Sequence, residues 1–289
     1  MRVVMFHSVG QLPAWLEDNF KQFRLFNADV PVYFLTDYLL MNDPLFEKYG
    51  IISVNKDDYY SNKIAEFESL FHRPSNDFWT IAATRLIYIE NFMKARAMTD
   101  VYHFENDVLV YYELSAHHRE FKKFPNIAIT VGGPDKCMTG FSFFKNHKGL
   151  FNMTEFFIDV LHEQGLEGVK KVYHLDMVNE MTLMRAYSYE NPSAFAFLPT
   201  IPNGEVNEFN SLFDPASWGQ FVGGTQGEGP GAKPKDHYIG LVLRDNPRYT
   251  VIWKQEIQGR VPYFKYDENE IKINNLHIHS KNLHLYMSK

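Results

Sequence analysis

Apolar and polar positions in the first third of the chain fall into two alternating periods. Val3 to His7 is a short apolar run closed by Ser8, Val9 and Gly10, the pattern of a buried strand ending in a turn. Pro13 then opens a segment in which Leu16, Phe20 and Phe23 recur at helical spacing. Val30 to Leu35 reads as a second strand, stopped by Thr36 and Asp37, and Gly50 to Val54 as a third. Strand and helix in alternation predict a parallel sheet covered by helices. Open sheets of this kind bind ligands beyond the carboxyl ends of their strands, which makes His7, Ser8, Thr36 and Asp37 candidate ligand-binding positions.

The strongest helical period runs from Trp79 to Met98, with Asp77 as its expected cap and Ile81, Arg85, Tyr88, Ile89 and Phe92 marking its faces. Arg85 sits among apolar neighbours, so its guanidinium must pair with a carboxylate or reach an anion. Further strands are expected at Ile127 to Val131, before the turn Gly132, Gly133, Pro134, and at Gly140 to Phe144. Phe151 to Leu161 is amphipathic. Asp176 and Glu180 share a face if Tyr173 to Tyr187 is helical. Pro192 to Pro202 reads as irregular, and Ile252 to His279 as short strands. Residues 213–236 hold six glycines and three prolines, and Gly223 to Lys235 reads as a mobile loop. No internal repeat or linker divides the sequence, so one domain over 1–289 is expected.

Composition narrows the class. The 289 residues are 45% hydrophobic and 16% aromatic, enough for a sizeable core, and the formal charge is −6 without a block of Lys and Arg. A nucleic-acid partner is therefore not indicated. Cys137 is the single cysteine, which excludes an intrachain disulfide and a four-thiolate zinc site. No run approaches about 18 consecutive apolar residues, and the apolar start is too short for a signal peptide. A cytoplasmic location fits, with peripheral membrane contact left open.

Two short segments carry candidate chemistry. Between strand-like runs stands Glu105, Asn106, Asp107. Acids at i and i+2 of an extended segment face the same way and repel, unless a cation or donor network compensates. Sharing a divalent ion with substrate phosphates is one solution. Near the end, His277 and His279 have the same two-residue spacing, with Ser280 and Lys281 following. Imidazole suits Mn, Zn and Fe, and an ammonium can meet a phosphate as a point charge. Together the segments offer carboxylate and imidazole ligands if the tail folds back over the sheet.

With these pieces in order, the chain resembles nucleotide-sugar-dependent glycosyltransferases of the GT-A type over most of its length. The resemblance rests on the alternating N-terminal half, the acid-x-acid triplet after a long helix, an acidic mid-chain helix and the His-containing tail. The family's triplet is usually Asp-x-Asp; here it is Glu105, Asn106, Asp107. The segment Phe213, Asp214, Gly219, Gln220, Gly223, Gly224 is similar to a loop of some bacterial and viral sugar transferases. The resemblance implies a mixed, mainly parallel Rossmann-like sheet, with 1–112 binding the nucleotide sugar and 113–289 the acceptor, the metal and the diphosphate. It implies Mn2+ or Mg2+ held by Asp107 directly, with Glu105 second, directly or through ribose or water. One tail histidine completes the metal shell; His279 is preferred because it directly precedes Ser280 and Lys281, although spacing does not separate it from His277. Lys281 would meet the diphosphate, and Arg85 and Asn106 join the donor-binding set. The implied partners are a UDP- or GDP-sugar donor and a glycan, lipid-linked or protein acceptor. An inverting reaction needs a carboxylate to take the acceptor proton. Asp176 is the first candidate, with Asp214 and Glu180 as alternates. A metal-dependent phosphohydrolase or nucleotidyltransferase, and a non-catalytic sugar-binding protein, are the competing classes.

Overall fold

A computed structural model describes residues 1–8, 10–72, 78–201, 207–224 and 249–289. The expected cap Asp77, the turn residue Val9, and the expected loop beyond Gly224 lie outside the described residues.

In chain order the elements are β1 (Arg2–Phe6), α1 (Leu16–Phe26), β2 (Val32–Thr36), α2 (Pro44–Lys48), β3 (Ile51–Asn55), α3 (Asn62–Phe71), α4 (Phe78–Ala95), β4 (Thr99–Phe104) and β5 (Val108–Val110). They continue with α5 (Leu114–Phe121), β6 (Ile127–Gly133), β7 (Lys136–Asn146), α6 (His147–Tyr173), α7 (Glu180–Glu190), β8 (Phe195–Phe197), β9 (Ser211–Leu212) and α8 (Trp218–Gly223). The tail holds β10 (Tyr249–Glu256), β11 (Gly259–Tyr266), β12 (Asn269–Ile273) and β13 (Asn275–His277).

The main sheet has seven strands in the order β3-β2-β1-β4-β7-β6-β8. β1 to β4 are mutually parallel, β7 is antiparallel to both neighbours, and β8 is parallel to β6. The expected mixed, mainly parallel sheet flanked by helices is thus observed. One core joins the sheet to α3, α4, α6 and α7 through Phe67, Phe71, Leu86, Phe92, Phe157 and Leu183. The other joins it to α1, α2 and α5 through Phe20, Phe23, Phe46 and Phe121. Each large apolar side chain so enclosed contributes about 1.5–3 kcal/mol relative to exposure. The high aromatic content is largely spent here.

A second sheet, β10-β11-β12-β9, packs on Trp218 and on Leu109 and Tyr111 of the β5 segment. The connection between the two layers is the pair β5 and β13, antiparallel, with His277 opposite Val108 and Leu276 opposite Leu109. A buried polar row on α1 and its C-cap residue Asn27 holds this junction. Asn19 donates to the Val108 carbonyl (2.8 Å), Gln22 to the Val110 carbonyl (3.1 Å) and Asn27 to the Tyr112 carbonyl (2.9 Å). Gln22 also accepts from the backbone N–H of Ser288 (2.9 Å), tying the chain's last residues to the same helix. No described helix is long and apolar enough to cross a membrane.

Three local differences from the sequence reading have simple causes. The first helix begins at Leu16 rather than Pro13, after a turn in which Leu16 donates to the Pro13 carbonyl (3.0 Å). β6 continues through both glycines to Gly133. Asp176 and Glu180 do not share a helical face, because α7 starts at Glu180. Asn179 and Thr182 form a reciprocal capping box there and stop the helix from extending backward.

Candidate metal and donor site

The triplet closes a tight turn between β4 and β5. Val108 donates to the Glu105 carbonyl (3.1 Å), and Glu105 donates to the Gly140 carbonyl on β7 (3.1 Å). Across this turn the β13–β5 pairing delivers His277, and Ile278 donates to the Asp107 carbonyl (2.9 Å). His277 Nε2 stands 3.2 Å from Glu105 Oε2 and 3.1 Å from Asp107 Oδ1. Ligand atoms of Glu105, Asp107 and His277 all lie within 4.8 Å of one another.

Two glycines allow this approach. A Cβ at Gly140 would stand 2.6 Å from His277 Nδ1, and one at Gly219 would stand 2.1 Å from the His277 carbonyl oxygen. Any side chain at either position would push His277 off the carboxylates. Gly140 carried a readable signal, since an isolated glycine inside an apolar strand marks close approach of another group.

The triplet's other contacts set its charge. Arg85 pairs with Glu105 Oε1 at 2.6 Å and reaches toward Glu180 at 3.7 Å. Thr139, a residue not anticipated from sequence, donates to Glu105 Oε1 (2.8 Å) and contacts Arg85. The longer Glu side chain thus places one oxygen on Arg85 and Thr139 and the other by His277. Lys281 is ion-paired with Asp107 Oδ2. Asn106 points away, accepting from the indole N–H of Trp15 (3.1 Å) and lying 3.5 Å from His7 Nδ1.

Burial pushes the Glu105 carboxyl up, but Arg85, His277 and Thr139 overcome it and hold it well below the usual carboxylate range. Burial acts likewise on Asp107, and His277 and Lys281 outweigh it, so its carboxyl is also lowered. For His277, burial favours the neutral ring, yet Asp107 and Glu105 raise it to about 10. Glu180 is pushed up to about 7 by burial, against Arg85 and with Glu105 adding to the rise.

Such a site can hold a divalent cation. Two carboxylates held ionised by their neighbours and an imidazole nitrogen, with ligand atoms within 4.8 Å of one another, form a donor set for a divalent cation. The histidine brought to the carboxylates is His277, where His279 was preferred. Register decides this: β13 ends at His277 opposite Val108, the residue after the triplet, whereas His279 lies beyond that pairing, with Gln220 Nε2 2.8 Å from its Nδ1. The two imidazole rings are neighbours, centroids 4.1 Å apart.

The remaining candidates fall in three places. Ser8 and Asp37 meet at the carboxyl ends of β1 and β2, where Ser8 donates to Asp37 (3.2 Å) and Lys56 pairs with Asp37 (3.2 Å). Thr36 is buried beside them. Asp176 is exposed and lines a separate recess with Asp135, His174, Arg185 and Tyr189, apart from the side chains gathered around Glu105. Asp214 is buried and accepts four backbone N–H bonds, from Ser217 (2.7 Å), Trp218 (2.8 Å), Gly219 (2.9 Å) and His277 (2.8 Å). Burial raises its carboxyl, with those bonds opposing. An acid enclosed in this way fastens α8 to the tail and has no face left for an acceptor hydroxyl, which corrects its assignment as a proton acceptor.

The mixed, mainly parallel seven-stranded sheet flanked by helices is a GT-A-type fold. Among solved structures, the chain is similar to mouse xyloside xylosyltransferase 1 in its apo form, with a TM-score of 0.51 and 11% identity over 68% of this chain and 84% of that one. A galactosyltransferase, LgtC, in complex with donor and acceptor sugar analogs, aligns with a TM-score of 0.41 and 12% identity over 69% of this chain and 73% of its own. No family model matches the sequence, and no curated protein does.

Proposed function

We propose that this protein is a metal-dependent glycosyltransferase that moves a sugar from a nucleoside diphosphate sugar to an acceptor hydroxyl on a glycan, lipid or protein. The observation that carries this reading is the convergence of Glu105, Asp107 and His277, from two segments distant in sequence, at the turn after β4 of a GT-A-type sheet. Manganese is the preferred ion because one donor is an imidazole, with magnesium second.

The chain's own groups have distinct tasks in this account. Asp107 and His277 hold the ion directly. Glu105 adds an oxygen while Arg85 and Thr139 keep its carboxylate oriented. Bound there, the ion would offset the negative charge that grows on the departing diphosphate. Lys281, on a flexible stem at the rim, supplies a further positive charge for that diphosphate. His7, Ser8 and Asp37 stand at the strand ends proposed for the nucleoside, with Thr36 fully buried next to them. For an inverting reaction Asp176 stands apart from these groups, in the recess with Asp135 and Arg185, and is not placed to take an acceptor proton beside them.

The decisive variant is Asp107→Ala. It should lower Mn2+-dependent binding of the donor nucleotide by at least about a hundredfold, beyond the effect of losing an outer-shell group. Circular dichroism and gel filtration should stay those of the wild type. Retained metal-dependent binding with a normal fold would refute the ligand assignment.

A further inference from the structure

Lys281 is positioned for more than meeting a phosphate. Its ammonium pairs with Oδ2 of Asp107, while Oδ1 of the same carboxylate faces His277 Nε2 at 3.1 Å. The ammonium also lies 5.4 Å from the centroid of the Trp15 ring, whose indole N–H is fixed on Asn106. The backbone cooperates: Lys281 adopts a left-handed φ of 64°, and its N–H closes a turn on the Ile278 carbonyl (3.0 Å). A lysine held in a conformation that L-residues disfavour, with its charge on a metal-ligand candidate, is an arrangement that the surrounding structure enforces.

Charge balance gives this contact a consequence. Arg85 offsets Glu105, Lys281 offsets Asp107, and the His277 ring stands between the two acids. A divalent ion drawn to Glu105, Asp107 and His277 claims the same Asp107 carboxylate. An ammonium and a dication crowded onto one carboxylate repel strongly in a poorly hydrated site. The lysine stem, four carbons long and freely rotating, lets the ammonium leave without moving the backbone.

We propose that Lys281 is a built-in countercation for Asp107, displaced by the divalent ion and then captured by the donor's diphosphate, so that one side chain couples metal loading to donor binding. The displacement step rests only on the metal cluster; the capture step rests on the nucleotide-sugar reading above. Metal and nucleoside diphosphate then favour one another through Lys281, in addition to any direct contact between them.

The test follows acetylation of Lys281 by acetic anhydride, read residue by residue by mass spectrometry on the wild-type protein. Saturating Mn2+ should raise Lys281 labelling several-fold, and UDP or GDP added on top should lower it again. In parallel, Lys281→Met should bind Mn2+ about tenfold more tightly than wild type without nucleotide, a size usual for coupling between two ligands. The same variant should bind nucleotide with Mn2+ more weakly than wild type. Removing a positive charge strengthens cation binding by electrostatics alone, so the wild-type labelling decides. Unchanged labelling on Mn2+ saturation, with metal-dependent nucleotide binding intact, overturns the displacement and leaves the glycosyltransferase reading standing. Labelling that rises with Mn2+ and stays high while UDP or GDP binds overturns the capture step alone, whereas no metal-dependent binding of either nucleotide overturns the nucleotide-sugar reading.

Discussion

Asp107 and Asp214 are both carboxylates almost wholly withdrawn from water, at 3% and 1% exposure, and they are held in opposite ways. Asp214 is satisfied by neutral donors, four backbone N–H groups fixed by α8 and β13. Asp107 is satisfied by cationic side chains, the ammonium of Lys281 and the imidazole of His277. Backbone donors cannot leave without unfolding their elements, so Asp214 is a structural fastening. Side-chain cations can rotate away or lose a proton, so Asp107 can exchange its partners for a metal ion. The chemistry of the partner, rather than burial of the acid, separates the two. Both fasten onto the same residue, since Asp214 holds the His277 backbone and Asp107 faces its ring.

That contrast breaks most visibly in stability. Asp214→Ala leaves buried N–H groups without an acceptor and should cost about 3 kcal/mol, because each unpaired donor carries a penalty of roughly 1–3 kcal/mol. Urea denaturation measures it. A loss below about 1 kcal/mol, the ordinary size of a point mutation, would mean that Asp214 is no fastening.

A smaller effect sharpens the comparison at the metal site. His277→Gln should weaken Mn2+ binding on the order of a hundredfold, whereas His279→Gln should behave like an outer-shell change and cost about tenfold or less. Mn2+ electron paramagnetic resonance reads both. Equal losses would return the two histidines to the tie that their spacing left. In the wild type, Asp107 and Glu105 outweigh burial and raise His277 to about 10, so it must give up its proton to become a ligand. Mn2+ binding near pH 7 should therefore release about one proton and strengthen as pH rises. Calorimetry in buffers of different ionisation enthalpy would show this, and His277→Gln should abolish it.

The sequence disclosed what is local. β1, β2 and β3 lie within about two residues of their expected positions, and α4 spans Phe78–Ala95 where Trp79 to Met98 was expected, because strand and helix periods are properties of neighbouring residues. The triplet was legible for the same reason. Its partners were not. Lys281 and Asp107 are 174 residues apart, and only the β13–β5 register places His277, rather than His279, against the carboxylates. The helix boundary that separates Asp176 from Glu180 was readable in Asn179 and Thr182, a capping pattern outweighed by the attraction of two acids four apart. Trp15 and Thr139 carry no motif at all; they matter through what the fold sets beside them.

Titration calorimetry of the wild-type protein with UDP and GDP, with Mn2+ and with EDTA, asks whether the Glu105, Asp107 and His277 cluster binds a nucleotide through a metal ion. A metal site at Asp107 predicts that one nucleotide binds at least about tenfold more tightly with Mn2+, the metal and nucleotide each stabilising the other's complex. Binding of equal strength with and without the ion, or no binding of either nucleotide, would contradict it.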